Sequence, residues 1–102
     1  MAFRLATDRR FTADVLIRSE SFAATFRVLS DAELAAHDFE TREGQQVFLR
    51  AAITEVSGVL DAEGTPIPSS PQLLDEMLGY SDLRFALLSA HTKGFLQAKT
   101  GN

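Results

Sequence analysis

Residues 53–79 read Ile-Thr-Glu-Val-Ser-Gly-Val-Leu-Asp-Ala-Glu-Gly-Thr-Pro-Ile-Pro-Ser-Ser-Pro-Gln-Leu-Leu-Asp-Glu-Met-Leu-Gly, and this stretch decides how the two halves of the chain are joined. Its first residues continue an apolar stripe from upstream, so a helix over about 43–56 is expected to end at Gly58. A tight acidic turn, Asp61 to Gly64, follows. Thr65-Pro66-Ile67-Pro68 is then stiff and extended, because each proline fixes its φ. Ser70-Pro71 opens a new helix: a side-chain cap precedes a proline at the first position, where a missing N–H costs nothing. That helix, about 71–78, buries Leu73, Leu74, Met77 and Leu78, with Gly79 as a left-handed stop. The 58–70 connection is expected to be ordered, since Pro66 and Pro68 limit its freedom and Val59 and Ile67 can be buried.

Upstream, residues 11–18 alternate, with Phe11, Ala13, Val15 and Ile17 on one face and Thr12, Asp14 and Arg18 on the other. Residues 22–29 repeat the pattern with Phe22, Ala24, Phe26 and Val28, and Ser19-Glu20-Ser21 forms a polar turn. This is a β-hairpin with one apolar face. Two strands alone are marginal, so the face must lie on helices or on another subunit. Ser30-Asp31-Ala32-Glu33 is a capping box that starts a short helix over about 31–40. In the next helix Phe48, Leu49, Ala52, Ile53 and Val56 make the stripe.

Downstream, Ser81-Asp82 caps a fourth helix over about 82–98. It has two apolar faces. Leu83, Ala86, Leu87, Ala90, Gly94 and Ala98 cluster on one, while Phe85, Leu88, Phe95 and Leu96 form the other. The small residues recur every four positions and allow close approach of another helix. A helix that is apolar on two sides lies deep in a core or between a core and a partner. The expected architecture is mainly α within the α+β class, about four helices packed with an N-terminal β-hairpin. It forms one domain over 1–102, with 1–10 and 99–102 as flexible ends. The hairpin edges and the divided last helix offer surface for a homo-oligomer.

The chain has 102 residues, 45% hydrophobic and 24% charged, which suits one globular domain with a thin stability margin. No run of about 18 apolar residues suggests a membrane span, and the first ten residues lack the apolar core of a secretory signal. Zero cysteines exclude disulfides and thiolate metal or redox sites and suit a cytoplasmic setting. A net charge of −4 argues against general nucleic-acid binding. Arg9-Arg10 reads as a solvated strand edge in preference to a phosphate contact.

His37 and His91 are the only histidines. A His37–Glu33 pair has too few ligands for a zinc site. Asp61-Ala62-Glu63-Gly64 lacks the alternating ligands and closing glutamate of a calcium loop, so an ordinary turn is expected. No nucleophile elbow, phosphate-binding glycine loop or dinucleotide fingerprint is present. We therefore expect no enzyme, cofactor or metal.

The hairpin, Phe26-Arg-Val-Leu-Ser-Asp-Ala-Glu-Leu34, Phe48-Leu49, Val56-Ser-Gly-Val59, Asp61-Ala-Glu-Gly64, Pro66-Ile-Pro68, the helix opening at Ser70-Pro71 and an alanine-rich last helix occur in that order. This arrangement resembles the tail assembly chaperones of long-tailed, lambda-like bacteriophages and prophages, over roughly residues 11–98. Members of that family typically carry tryptophan where this chain has Val56, and often phenylalanine where it has Ser69. The resemblance implies a non-enzymatic protein of viral morphogenesis in the host bacterial cytoplasm. Such a protein binds the helical tape-measure protein and helps recruit tail-tube subunits before leaving the finished particle. Phe85, Leu88, Phe95 and Leu96 are the candidate partner-binding residues, by analogy with helix-in-groove recognition. Two other readings stand beside it: a tail completion or connector protein retained in the virion, and a small regulatory adaptor unrelated to phage.

Overall fold

The computed structural model describes residues 2–99, with side chains placed through Leu96. Met1 and residues 100–102, expected as parts of flexible ends, lie outside the described residues, as does the side chain of Ala98. The elements are β1 (Arg10–Ile17), β2 (Glu20–Arg27), α1 (Asp31–Ala35), α2 (Arg42–Ala52), β3 (Ile53–Ser57), α3 (Pro71–Leu78) and α4 (Ser81–Lys99). Residues 2–9 form neither helix nor strand and are exposed throughout.

The hairpin follows its alternation. Phe11 pairs with Phe26, Ala13 with Ala24 and Val15 with Phe22, which puts six apolar side chains on one face. The turn is Arg18-Ser19, one residue earlier than expected, with Ile17 paired to Glu20. Arg18 takes φ 55°, the left-handed conformation that two-residue hairpin turns demand.

The architecture corrects the mainly helical expectation. The hairpin is two thirds of a three-stranded antiparallel sheet in the order β1-β2-β3, and the fold is α+β with helices on one face of that sheet. The helix expected over 43–56 stops at Ala52. Ile53 has φ −87° and ψ 124°, and its N–H closes the helix on the Leu49 carbonyl. The same residue then pairs with Phe26 as the start of β3. Ile53, Thr54 and Val56 are β-branched, and such residues lose less in a pleated strand than in a helix. Gly58, with φ +80°, therefore ends a strand rather than a helix.

Three smaller expectations are also corrected. α1 ends at Ala35 rather than 40, although its capping box is complete, with Ser30 Oγ accepting from the Glu33 N–H at 3.2 Å and Glu33 Oε1 accepting from the Ser30 N–H at 3.1 Å. Gly79 is right-handed, with φ −73°. The end of α3 is closed by the Gly79 and Tyr80 N–H groups donating to the Glu76 and Met77 carbonyls, both at 3.2 Å, and by Gln46 Nε2 and Arg84 Nη1 each donating to the Leu78 carbonyl at 3.0 Å. Ser81 lies inside α4, which begins on the Tyr80 carbonyl accepting from the Arg84 N–H at 3.0 Å.

α3 runs over the expected residues, with Ser70 Oγ accepting from the Leu73 N–H at 3.0 Å and proline in its first turn. The connection before it is tied down. Asp61 Oδ1 accepts from the Glu63 and Thr65 N–H groups, both at 2.9 Å, and the Ile67 N–H reaches the Val59 carbonyl at 2.8 Å. Ser69 Oγ then accepts the Val56 N–H at 3.0 Å on the side of β3 away from β2.

α4 lies along β1 and runs antiparallel to it. Arg18 at the strand's end meets Asp82 at 3.2 Å, while Gly94 sits against Phe11 and Ala13 near its start. The row of small residues thus receives a β-strand, not the helix expected from its spacing. A Cβ on Gly94 would fall 2.6 Å from a ring carbon of Phe11. Val15, Phe26, Phe48, Leu49, Leu78 and Leu87 are the largest fully buried side chains. They bring β1, β2, α2, α3 and α4 to one core.

Candidate partner-binding surface

α4 is the element on which the candidate residues stand, and packing on β1 fixes its rotation. Leu87 is fully buried, and Ala90 and Gly94 are buried with it. Leu83 and Ala86 pack partly against the same core. At 100° per residue, Phe85 and Leu96 lie about 20° apart on the opposite crest of the helix. They are 58% and 54% exposed. Phe95 and Leu88 sit about 60–80° round from Phe85, on the shoulder that also carries Arg84 and His91. Phe95 is 38% exposed, whereas Leu88 is half-buried against the core. Three of the four expected residues are therefore on the surface, and Leu88 has mainly a packing role.

The shoulder is built on aromatic rings. His91 is half-buried among Phe48 (ring centroids 5.1 Å), Phe26 (5.2 Å), Phe11 (5.7 Å) and Phe95 (6.3 Å). Phe48 in turn meets Phe39 at 4.8 Å and His37 at 5.6 Å. Burial holds the His91 pKa below the ordinary histidine value. The same burial favours the neutral imidazole, which packs among the rings without a desolvated charge. The outward ends of this ladder, Phe39 in the α1–α2 connection and Phe95 on the shoulder, are exposed.

Arg84 lies between the two apolar faces of α4 at 100° per residue. It is buried, with Nε donating to Gln45 Oε1 at 3.1 Å in addition to its bond to Leu78. Gln45 Nε2 donates to the Phe39 carbonyl at 3.0 Å, so one chain of polar bonds ties α2, α3 and α4 beneath the exposed shoulder. A lone arginine at helical spacing gives no signal for this role, because its acceptors come from 6 and 39 residues away.

The chemistry candidates have ordinary structural uses. Glu33 is occupied by its capping bonds, of which the Ser30 N–H is the main reason its pKa is lowered. Asp61 holds its own turn. Arg9 lies over the ring of Phe3 at 5.4 Å, while Arg10 is an exposed residue of β1. Among the described residues, no group of three His, Asp or Glu side chains could hold a metal, and no helix is long and apolar enough to cross a membrane. What the α4 surface offers is apolar contact area on a rigid element. No family model, curated protein or solved structure matches the chain.

Proposed function

We propose that the protein is a phage tail assembly chaperone that binds the tape-measure protein and helps recruit tail-tube subunits in the host bacterial cytoplasm. The observation that carries the reading is the crest of α4: Phe85 and Leu96 are exposed on a helix whose other side is anchored through Leu87. A tape-measure protein is a long helical chain with apolar stripes that need cover before assembly. Phe85, Phe95 and Leu96 present the complementary apolar face, with the Leu88 shoulder beneath them. The order of motifs along the chain supports the family assignment. Tail completion proteins retained in the virion would be found in purified particles by mass spectrometry, and a chaperone is absent from them.

Pull-down of tape-measure fragments tests the reading with a pair of variants. Phe85→Asp should fold normally by circular dichroism yet lose capture, with about 30-fold weaker binding if the ring is an anchor. Leu87→Asp should unfold the domain, because it buries an unpaired carboxylate. Failure of the wild-type chain to retain any tape-measure fragment sinks the proposal.

A further inference from the structure

An apolar cavity rimmed by acidic residues lies at the hairpin tip. It is a recess of about 460 Å³ between the β1–β2 turn, the loop after β3 and the start of α4. Ile17, Phe22, Val59 and Leu83 line it as its apolar floor, the exposed Glu20 and Asp61 stand at its edge, and among the described residues no lysine or arginine lines it. The chain carries a segment of complementary character. Phe3 and Leu5 are 70% and 82% exposed, with Arg4 between them, in a segment whose Ala6 N–H turns back on the Arg4 carbonyl at 3.1 Å. Arg4, Arg9 and Arg10 against Asp8 give the first ten residues a net +2 in a chain of net −4.

The segment cannot fill the recess of its own molecule. The Arg9 carbonyl accepts from the Val28 N–H at 2.9 Å, which fixes the arm to the far end of the hairpin. Ile17 is eight residues further along β1, about 26 Å away, whereas Leu5 can reach only about 14 Å from Arg9 and Phe3 about 20 Å. We infer that the arm of one copy docks in the acid-rimmed recess of a second copy. Phe3 and Leu5 enter the apolar floor, and Arg4 meets Glu20 and Asp61. The interface is separate from the crest of α4 and does not depend on the chaperone reading.

Sedimentation equilibrium of the full chain over a wide concentration range tests this. The wild type should associate reversibly. Phe3→Ser/Leu5→Ser alters only exposed side chains, so it should keep the wild-type circular dichroism and melting temperature while weakening association about 30-fold or more. Arg4→Glu and Glu20→Arg should each weaken association several-fold, and their combination in one chain should restore much of it. A wild type that stays monomeric, a Phe3→Ser/Leu5→Ser chain that associates as well as the wild type, or a charge-swapped chain weaker than either single variant would overturn the inference.

Discussion

Gly94 decides how closely α4 approaches the sheet. Its missing Cβ leaves room for the Phe11 ring, which is itself stacked on Phe26 at 5.3 Å and cannot easily move aside. Gly94→Ala gains about 1 kcal/mol of helix propensity. It also drives a methyl into the ring and within 3.1 Å of the Ala13 Cβ, an overpacking cost of about 1–3 kcal/mol. A net loss of about 1 kcal/mol is expected, and urea unfolding measures it. His91, the next residue inward on the aromatic ladder, makes stability depend on pH. Its folded pKa is lowered by burial, so the unfolded chain binds the proton more readily. Stability is therefore full above the ordinary histidine value of 6.5 and is lost as the pH falls from there through the lower folded-state value. His91→Phe should flatten the melting temperature between about pH 5 and 7, where histidine is the group that titrates. A wild-type melting temperature independent of pH in that window contradicts the burial of a neutral ring.

Among the elements, β3 shows where sequence reading reaches its limit. Phe48, Leu49, Ala52, Ile53 and Val56 fit one continuous helical stripe, yet the chain changes from helix to strand at Ile53 with no loop between. The disguise has a physical origin. The register of β3 slips between Thr25 and Phe26, so Ile53 and Val56 are buried while Thr54 and Glu55 are exposed. An irregularity of this kind replaces period two by a spacing of three, which is also a helical spacing. The β-branched content of residues 53–56 was the available signal. The hairpin and α3 were legible because alternation, a serine cap and a first-turn proline are local, and so was the shared face of Phe85 and Leu96, which helical spacing alone places together. Leu88, Arg84 and the recess at the hairpin tip were not, since their burial or exposure is set by elements distant in the chain. Ser69 matters to β3 as a side-chain acceptor beyond its last neighbour. Ser69→Ala should cost about 1 kcal/mol in urea unfolding and speed hydrogen exchange at the Val56 amide, because that N–H loses its partner. Unchanged exchange at Val56 would show that the bond does not hold the strand.

One helix serves as both the lid of the core and the exposed apolar crest, and this division links the fold to its proposed use. The core side is pinned at two levels, by the fully buried Leu87 and by the Gly94 approach to β1. A partner can therefore dock on the crest without α4 rotating, in keeping with how little most preorganised interfaces change shape. The use proposed for that crest is docking of the tape-measure helix. Amide chemical shifts of the labelled full chain, followed while a tape-measure fragment is titrated in, test it most directly. Perturbations should concentrate at Phe85, Phe95, Leu96 and their helical neighbours, and leave the outer sheet residues Thr12 and Thr25 unmoved. Perturbations confined to the sheet, or none at saturating fragment, would contradict it.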